Sequence, residues 1–404
     1  MNSRPTRLPA LDGIRGLAIL MVLVYHFSLR LEPSTIAQTV FRHTTGIGWA
    51  GVDLFFVLSG FLITGNLYDS RGSATYYRTF YARRVLRIFP LYYLYLAVYY
   101  VVLPLLYEGG SLAHAITTLQ RHRWWFWTYT SNVLVAWSGD AGPTGPAPMY
   151  TGAMWSLAVE EQFYLVWPLF VSLAGRYLAR WCVTIVVATL LIRLAALLLV
   201  GRLGAELLMP ARMDSLALGA WLAVTLRERG AAGLRRFIPR ALGISGSALA
   251  VIWAAQPTWF DMTSSFVPTI GFSLIAVFFA GVVAASLVRP DGIWRRIGET
   301  RWLRWLGAYA YGLYIWHNPV RLLLDALRLN PESLVGAGVN GFVAVTIFGF
   351  SGIGLSIACA VLSWHTFEAP ILNLKRFVPY ASARSQQAML NDQRVLVANG
   401  ANLV

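Results

Sequence analysis

Apolar runs about twenty residues long recur throughout this chain. A helix rises ~1.5 Å per residue, so each run spans most of a ~30 Å hydrocarbon core. Ten such runs can be drawn, at 11–30, 49–68, 85–106, 155–174, 181–200, 210–226, 241–256, 267–288, 305–324 and 340–364. Only 13% of the residues are charged, where a soluble domain carries about 25%. Hydrophobic residues make up 57% of the chain, and the mean hydropathy is +0.56. The pattern excludes a globular enzyme with one core. It predicts an all-α polytopic membrane bundle of about ten transmembrane helices. An eleventh stretch, WWFWTYTSNVLVAW (124–137), is too short and too rich in Trp to cross, and reads as interfacial or re-entrant.

The basic residues test this layout. The net charge is +15, and all 33 basic residues are Arg except Lys375. With the N-terminus inside, 23 basic residues fall in inside segments and 7 in outside ones. That split predicts both termini cytoplasmic. It also explains the basic balance without a nucleic-acid partner. The opening MNSRPTRLPALDGIRG lacks the short apolar region and small-x-small site of a cleavable signal, so it reads as leading into a retained first span. Cys182 and Cys359 fall in apolar spans and read as small packing residues; no disulfide framework or metal site is expected. The longest outside loop is 107–154, with a Gly/Pro-rich turn region in SGDAGPTGPAPMYTG. The domain division is 1–376 as the transmembrane domain and 377–404 as a polar cytoplasmic tail, expected to be poorly ordered.

Expensive residues inside the spans point to function. The first span, LDGIRGLAILMVLVYHF, carries Asp12, Arg15 and His26. A charge at the bilayer centre costs at least ~3 kcal/mol. Arg15 and His26 are eleven residues apart, a net rotation of about 20°, so they share a face with ~16 Å between them along the axis. Asp12 lies about 40° from His26 on the same side. Buried ion pairs that fix helix packing would be scattered; a single stripe fits a site better. At the inner end, FYARRVLRIFPLYYLY adds Arg83, Arg84 and Arg87. Arg84 and Arg87 are neighbours on one face, and Arg is suited to phosphate. Arg83 reads as ordinary positive-inside anchoring. Asp53, Glu160, Glu161, Asp214, His26 and His317 all come out near the outer end of their spans. Ser156 is placed to cap the fourth span. Taken singly, Asp214 reads as structural. Together these residues predict phosphate binders inside and a His/carboxylate cluster outside.

The sequence resembles the acyltransferase-3 family of membrane O-acyltransferases. The matching stretches are LDGIRGLAILMVLVYH, GVDLFFVLSGFLI, RRVLRIFPLYY, MWSLAVEEQFYLVWP, RMDSLALGA, WLGAYAYGLYIWH and FEAPIL, in family order from residue 11 to 372. The resemblance implies a helical bundle of about ten spans in the bacterial cytoplasmic membrane. It implies transfer of an acyl group, often acetyl, from acyl-CoA as co-substrate to a hydroxyl. The acceptor would be a glycan, a lipid-linked glycan or a macrolide-like molecule, with no permanently bound cofactor. His26 is then the central catalytic residue, and Glu160 and Glu161 match the family's paired acids; on our reading of the mechanism His26 is base or acyl-carrying nucleophile, and Glu160 or Glu161 fixes its tautomer or raises its basicity. Arg15, Arg84 and Arg87 handle the donor. Asp12, Asp53, Ser59, Trp155, Tyr164, Asp214, His317 and Glu368 count as supporting residues. One departure is Ala310, where the family usually has Ser. The esterase-like domain that some members carry is not expected. The rival reading is a transporter or flippase of a glycoconjugate, since intramembrane charges also mark substrate paths; no inverted repeat favours it.

Overall fold

The computed structural model describes residues 8–28, 35–102, 117, 120–139, 154–260, 264 and 266–379. Arg4, Arg7, Arg30, Arg384 and Arg394, most of the 107–154 loop, and residues 380–404 of the tail lie outside the described residues. The principal helices are α1 (Pro9–Ser28), α2 (Ile36–Gly46), α3 (Gly51–Asp69), α4 (Tyr76–Ala97), α5 (Arg123–Trp127), α6 (Ser131–Ser138), α7 (Met154–Ala174) and α8 (Leu178–Leu199). They continue with α9 (Arg202–Leu207), α10 (Met213–Arg235), α11 (Gly246–Ala255), α12 (Phe272–Val288), α13 (Ile293–Glu299), α14 (Arg301–Ala308), α15 (Ala310–Ala326) and α16 (Gly341–Ser363). Short 3₁₀ and π turns join several of them, and no strand occurs among the described residues. The chain is all-α.

Seven helical segments among the described residues are long and apolar enough to cross a membrane: Pro9–Ser28, Ile36–Asp69, Tyr76–Val102, Met154–Leu199, Phe237–Ala255, Val267–Val288 and Gly341–Phe377. The expected spans 155–174 and 181–200 share the segment Met154–Leu199, broken at Gly175, whose φ of +51° ends one helix and redirects the chain into the next. Two further expected spans fall on helices outside the seven. The 210–226 stretch lies on α10, which carries Asp214 near its start and Arg227, Glu228 and Arg229 further on. The 305–324 stretch is divided between α14 and α15 at Tyr309.

In lipid, the hydrophobic effect does not press helices together, so contact depends on close backbone approach. Two crossings show this. A Cβ on Gly13 would collide with the Gly298 carbonyl, and one on Gly16 with that of Leu303, so α1 sits tightly against α13 and α14. Where α3 crosses α10, Gly60 faces the Leu216 carbonyl and Gly219 faces that of Val57, with the same consequence. Helix α1 also touches α2, α3, α12, α15 and α16 and is the hub of the bundle. On the outside, Leu165, Leu169, Leu173, Leu191, Leu198, Leu199 and Phe350 remain exposed, as expected of side chains that face lipid.

The Trp-rich stretch forms two short helices, α5 and α6, joined through Tyr129 at φ +55°. Phe126, Tyr129, Asn132 and Ala136 point into the core, while Trp124 and Trp137 are 67% and 76% exposed. A pair of five and eight residues is too short to span the core. Tyr129 stacks on Tyr92 of α4 at 4.1 Å between ring centroids, and Gln162 of α7 bonds the Tyr129 carbonyl at 2.9 Å and the Asn132 side chain at 2.8 Å. These contacts lock the hairpin against the bundle.

Candidate active site

A cavity of about 530 Å³ opens between α1, α3, α4, α7 and α15. One end is basic. Arg15 of α1 and Arg83, Arg84 and Arg87 of α4 line it together with Asp12. Asp12 holds Arg15 in an ion pair of 3.0 Å on the same helix face. Arg87 is an exposed residue that lines this same end. Arg84 lies with its guanidinium 5.5 Å from the Tyr164 ring, and its buried Nε has no partner among the described residues. Arg83, read from sequence as a surface anchor, donates to the backbone carbonyls of Lys375 at 3.2 Å and Val378 at 2.8 Å. It lines the cavity and ties down the segment at Lys375 and Val378.

The middle of the cavity is a wall of hydroxyls and a carboxylate. Ser59 of α3 and Tyr164 of α7 share a hydrogen bond of 2.5 Å. Glu160 faces both hydroxyls and the Arg84 and Arg87 guanidiniums. Glu161, one residue on and so about 100° around the helix, does not line the cavity. It faces Tyr92, Tyr93, Tyr129 and Tyr311 instead, and its buried Oε1 has no partner among the described residues. The two glutamates thus point to different walls, although Arg84 acts on both. Ala310 also lines the cavity, where a serine would have added one more hydroxyl.

At the far end, Ser156 and Tyr314 share a second hydrogen bond of 2.5 Å. Ser156 lies inside α7, which begins at Met154, so it is a side-chain partner and not the helix cap expected from sequence. Tyr314 lines the cavity, and its ring lies 5.6 Å from that of His317. His317 in turn lies 4.7 Å from His26, centroid to centroid. Neither histidine lines the cavity. The stripe from Arg15 to His26 is therefore not one open groove: the Tyr314 side chain stands between the cavity and the imidazoles.

The hydrogen bonds assign the tautomers. Nδ1 of His26 lies 2.9 Å from the Val22 carbonyl, and Nδ1 of His317 lies 2.6 Å from the Tyr314 carbonyl. A carbonyl only accepts, so both Nδ1 atoms carry the proton and both Nε2 atoms keep a lone pair. A backbone carbonyl, not Glu160 or Glu161, thus fixes the His26 tautomer, which corrects the expectation of a carboxylate-backed ring. The reason is placement: the glutamates lie on α7, turned to α3 and α4, whereas His26 faces α15. The buried Nε2 of His317 has no partner among the described residues. Such an orphan costs about 1–3 kcal/mol.

The remaining acids do not join this cluster. Asp53 accepts from Arg212 at 2.7 Å and from Ser215 at 3.0 Å. Asp214 pairs with Arg193 and accepts from Ser273 at 2.7 Å. Arg193 also donates to the carbonyls of Ala211 at 2.9 Å and Thr269 at 3.1 Å. All four charged groups are buried, and the Arg212 guanidinium lies 3.4 Å from the centre of the Phe272 ring. Trp155 sits on this side, 5.8 Å from Arg212. Two arginines on α8 and just before α10 therefore claim the acids that depth alone had grouped with His26. Nothing in the local sequence around Arg193 and Arg212 names these partners, which lie on other helices. Glu368 lies behind Tyr311, bonded by Ser363 at 3.1 Å. Among the described residues, no group of three or more His, Cys, Asp or Glu is arranged to hold a metal ion.

Residues 8–362 match the family model described as an acyltransferase domain. The chain is 27% identical over 382 residues to YrhL of Bacillus subtilis (strain 168), whose designation as a peptidoglycan O-acetyltransferase is provisional; the match covers 90% of this chain and 55% of that protein. It is 26% identical over 332 residues to the peptidoglycan O-acetyltransferase OatA of Listeria monocytogenes, covering 77% of this chain and 49% of the relative. The O-acetyltransferase OatA of Staphylococcus aureus (strain NCTC 8325) is 25% identical over 396 residues, covering 91% and 57%. The chain spans about half the length of these curated relatives. No solved structure matches it.

Proposed function

The chain belongs to the acyltransferase-3 family, and from that premise we propose that it is a membrane O-acyltransferase moving an acyl group, acetyl in the simplest case, from acyl-CoA to a hydroxyl of a glycan. The observation that carries this reading is the cavity with four arginines at one end and Tyr314, in contact with His317, at the other. Guanidiniums suit the phosphates of a CoA donor because they are planar, always charged and two-pronged. Arg15, Arg84 and Arg87 bind them, and Asp12 holds Arg15 in place. The acyl arm runs along the wall of Ser59, Tyr164 and Glu160. Displacement of the Tyr314 side chain brings the thioester to His26, which acts through its Nε2 lone pair. The peptidoglycan for which the relatives are named favours a cell-wall glycan over a lipid-linked glycan or a macrolide-like acceptor.

The bundle crosses the bacterial cytoplasmic membrane ten times with both termini inside, in keeping with the arginine asymmetry. Residues 1–376 form the transferase domain. Donor enters from the cytoplasm at the arginine end, and acceptor is modified near the outer face. Purified protein incubated with radiolabelled acetyl-CoA should release CoA and label a peptidoglycan fragment. Movement of solute without donor turnover would replace the enzyme reading with a transporter. Sidedness is tested in a background lacking Cys182 and Cys359. A cysteine at Gly145 should react with an impermeant maleimide from outside, and one at Ala231 only after the membrane is opened. The reverse pattern would invert the topology.

A further inference from the structure

We infer that His317 is a second catalytic base, taking the proton of the acceptor hydroxyl while His26 carries the acyl group. The inference rests on the acyl-transfer reading above. Its starting point is that one lone pair performs one task at a time. When the Nε2 of His26 is acylated, it can no longer accept a proton, and no carboxylate faces it as a substitute. The groups that act electrostatically on His26 are His317 and Arg321, and on His317 it is Arg321. The nearest ring to His26 with a lone pair is His317, 4.7 Å away.

Three observations place His317 in that role. Its Nε2 is fully buried and has no partner among the described residues, whereas its Nδ1 is fixed by the Tyr314 carbonyl. That lone pair is therefore open to a proton. The neighbouring Asn318 is also fully buried, and its Nδ2 is likewise without a partner among the described residues. Each residue thus keeps a buried polar atom open to a further partner. Finally, Tyr314, His317 and Arg321 fall at i, i+3 and i+7 on α15, so they form one face about 10 Å long that continues from the cavity past His26.

In the first step, the Nε2 lone pair of His26 attacks the thioester carbon. The C–S bond breaks, and the sulfur leaves as thiolate with the bonding pair. In the second, the acceptor oxygen attacks the acyl carbon as its proton passes to Nε2 of His317. The C–N bond breaks, and its pair returns to His26. The imidazolium of His317 gives its proton to water, and the thiolate takes one up, so the sum is acyl-CoA and hydroxyl in, ester and CoA thiol out.

The test uses the full chain in lipid nanodiscs with radiolabelled acetyl-CoA and water as the acceptor hydroxyl. His317→Gln should lower acetate release by about 100-fold or more. It should accumulate hydroxylamine-sensitive label on the protein, and that label should vanish in the His26→Ala/His317→Gln double variant. On the native protein, heavy water should slow acetate release but not the burst of protein labelling. His317→Gln that keeps more than a tenth of wild-type release would overturn the inference. So would a folded His317→Gln that loses labelling and release together, or a native protein with no isotope effect on release. A native protein that leaves acetyl-CoA intact would instead remove the acyl-transfer reading itself.

Discussion

Two polar regions of this bundle use similar side chains in opposite ways. The lattice of Asp53, Arg212, Arg193 and Asp214 is buried, and each acid there meets a guanidinium and a serine, although Asp53 Oδ2 and Arg212 Nε and Nη1 have no partner among the described residues. The region from Arg84 to His317 encloses a cavity and leaves Arg84 Nε, Glu161 Oε1 and His317 Nε2 without partners among the described residues. In a membrane both are expensive to build. A paired lattice recovers that expense in packing specificity. Both regions leave some buried polar atoms unpartnered among the described residues, but only the second borders a cavity that a ligand can fill. The contrast separates charges that hold helices together from charges that do chemistry.

Substitution should break the two regions differently. The largest effect is expected at His26. His26→Ala should lower acyl transfer by about 10²–10⁴-fold while the thermal transition in detergent stays in place. A variant with more than a tenth of wild-type turnover would remove His26 from the chemistry. Next comes the lattice. Asp214→Ala strands the Arg193 guanidinium in the interior, and breaking a buried pair costs about 3–5 kcal/mol. Yield and thermal stability should fall together, with activity lost only in proportion to folded protein. An intact, inactive Asp214→Ala protein would place the lattice in the mechanism. Third, Arg84→Lys and Arg87→Lys keep the charge but lose the two-pronged geometry. Each should raise the KM for acetyl-CoA by about tenfold, equivalent to ~1.4 kcal/mol, with little change in stability. Unchanged KM in both would end geometric phosphate recognition there.

Much of this was legible in the sequence, for physical reasons. Apolar runs of membrane length admit few alternatives to helices, so the all-α class followed from length and composition. Arg84 and Arg87 were assigned to one face because helical periodicity is local. The failures were of another kind. Asp53 and Asp214 were grouped with His26 by depth, because depth along a span can be counted but rotation toward a neighbour cannot. The partners that claimed them, Arg193 and Arg212, lie 21 residues before Asp214 and 159 residues after Asp53. Glu160 and Glu161 were treated as a pair because they are adjacent, yet adjacent helical residues point about 100° apart. Tyr314 carried no charge to attract notice, although it is the contact between cavity and imidazoles.

The smallest expected effect lies where the lattice chemistry recurs at the surface. Arg227 of α10 reaches Asp69 of α3 through Nε and Nη2, both at 2.6 Å, which is a two-pronged pair of the same residue types as Arg212 with Asp53. Here Arg227 is 27% exposed and Asp69 56% exposed. Water and ions reach both groups, so neither carries a large desolvation cost and neither is stranded when the other is removed. Exposed pairs contribute about 0.2–1 kcal/mol, with good geometry favouring the upper end. A double-mutant cycle with Arg227→Ala and Asp69→Ala should therefore give a coupling of about 1 kcal/mol or less. It should shrink as salt is raised and leave acyl transfer at the wild-type rate. Arg227 also packs over Gly65 and donates to the Ala223 carbonyl at 3.1 Å. The single Arg227→Ala variant should thus lose slightly more than Asp69→Ala, and the cycle removes that difference. A coupling as large as the one expected for Arg193 with Asp214, insensitive to salt, would show that this pair is shielded from water. It would move Arg227 and Asp69 from the surface class into the lattice.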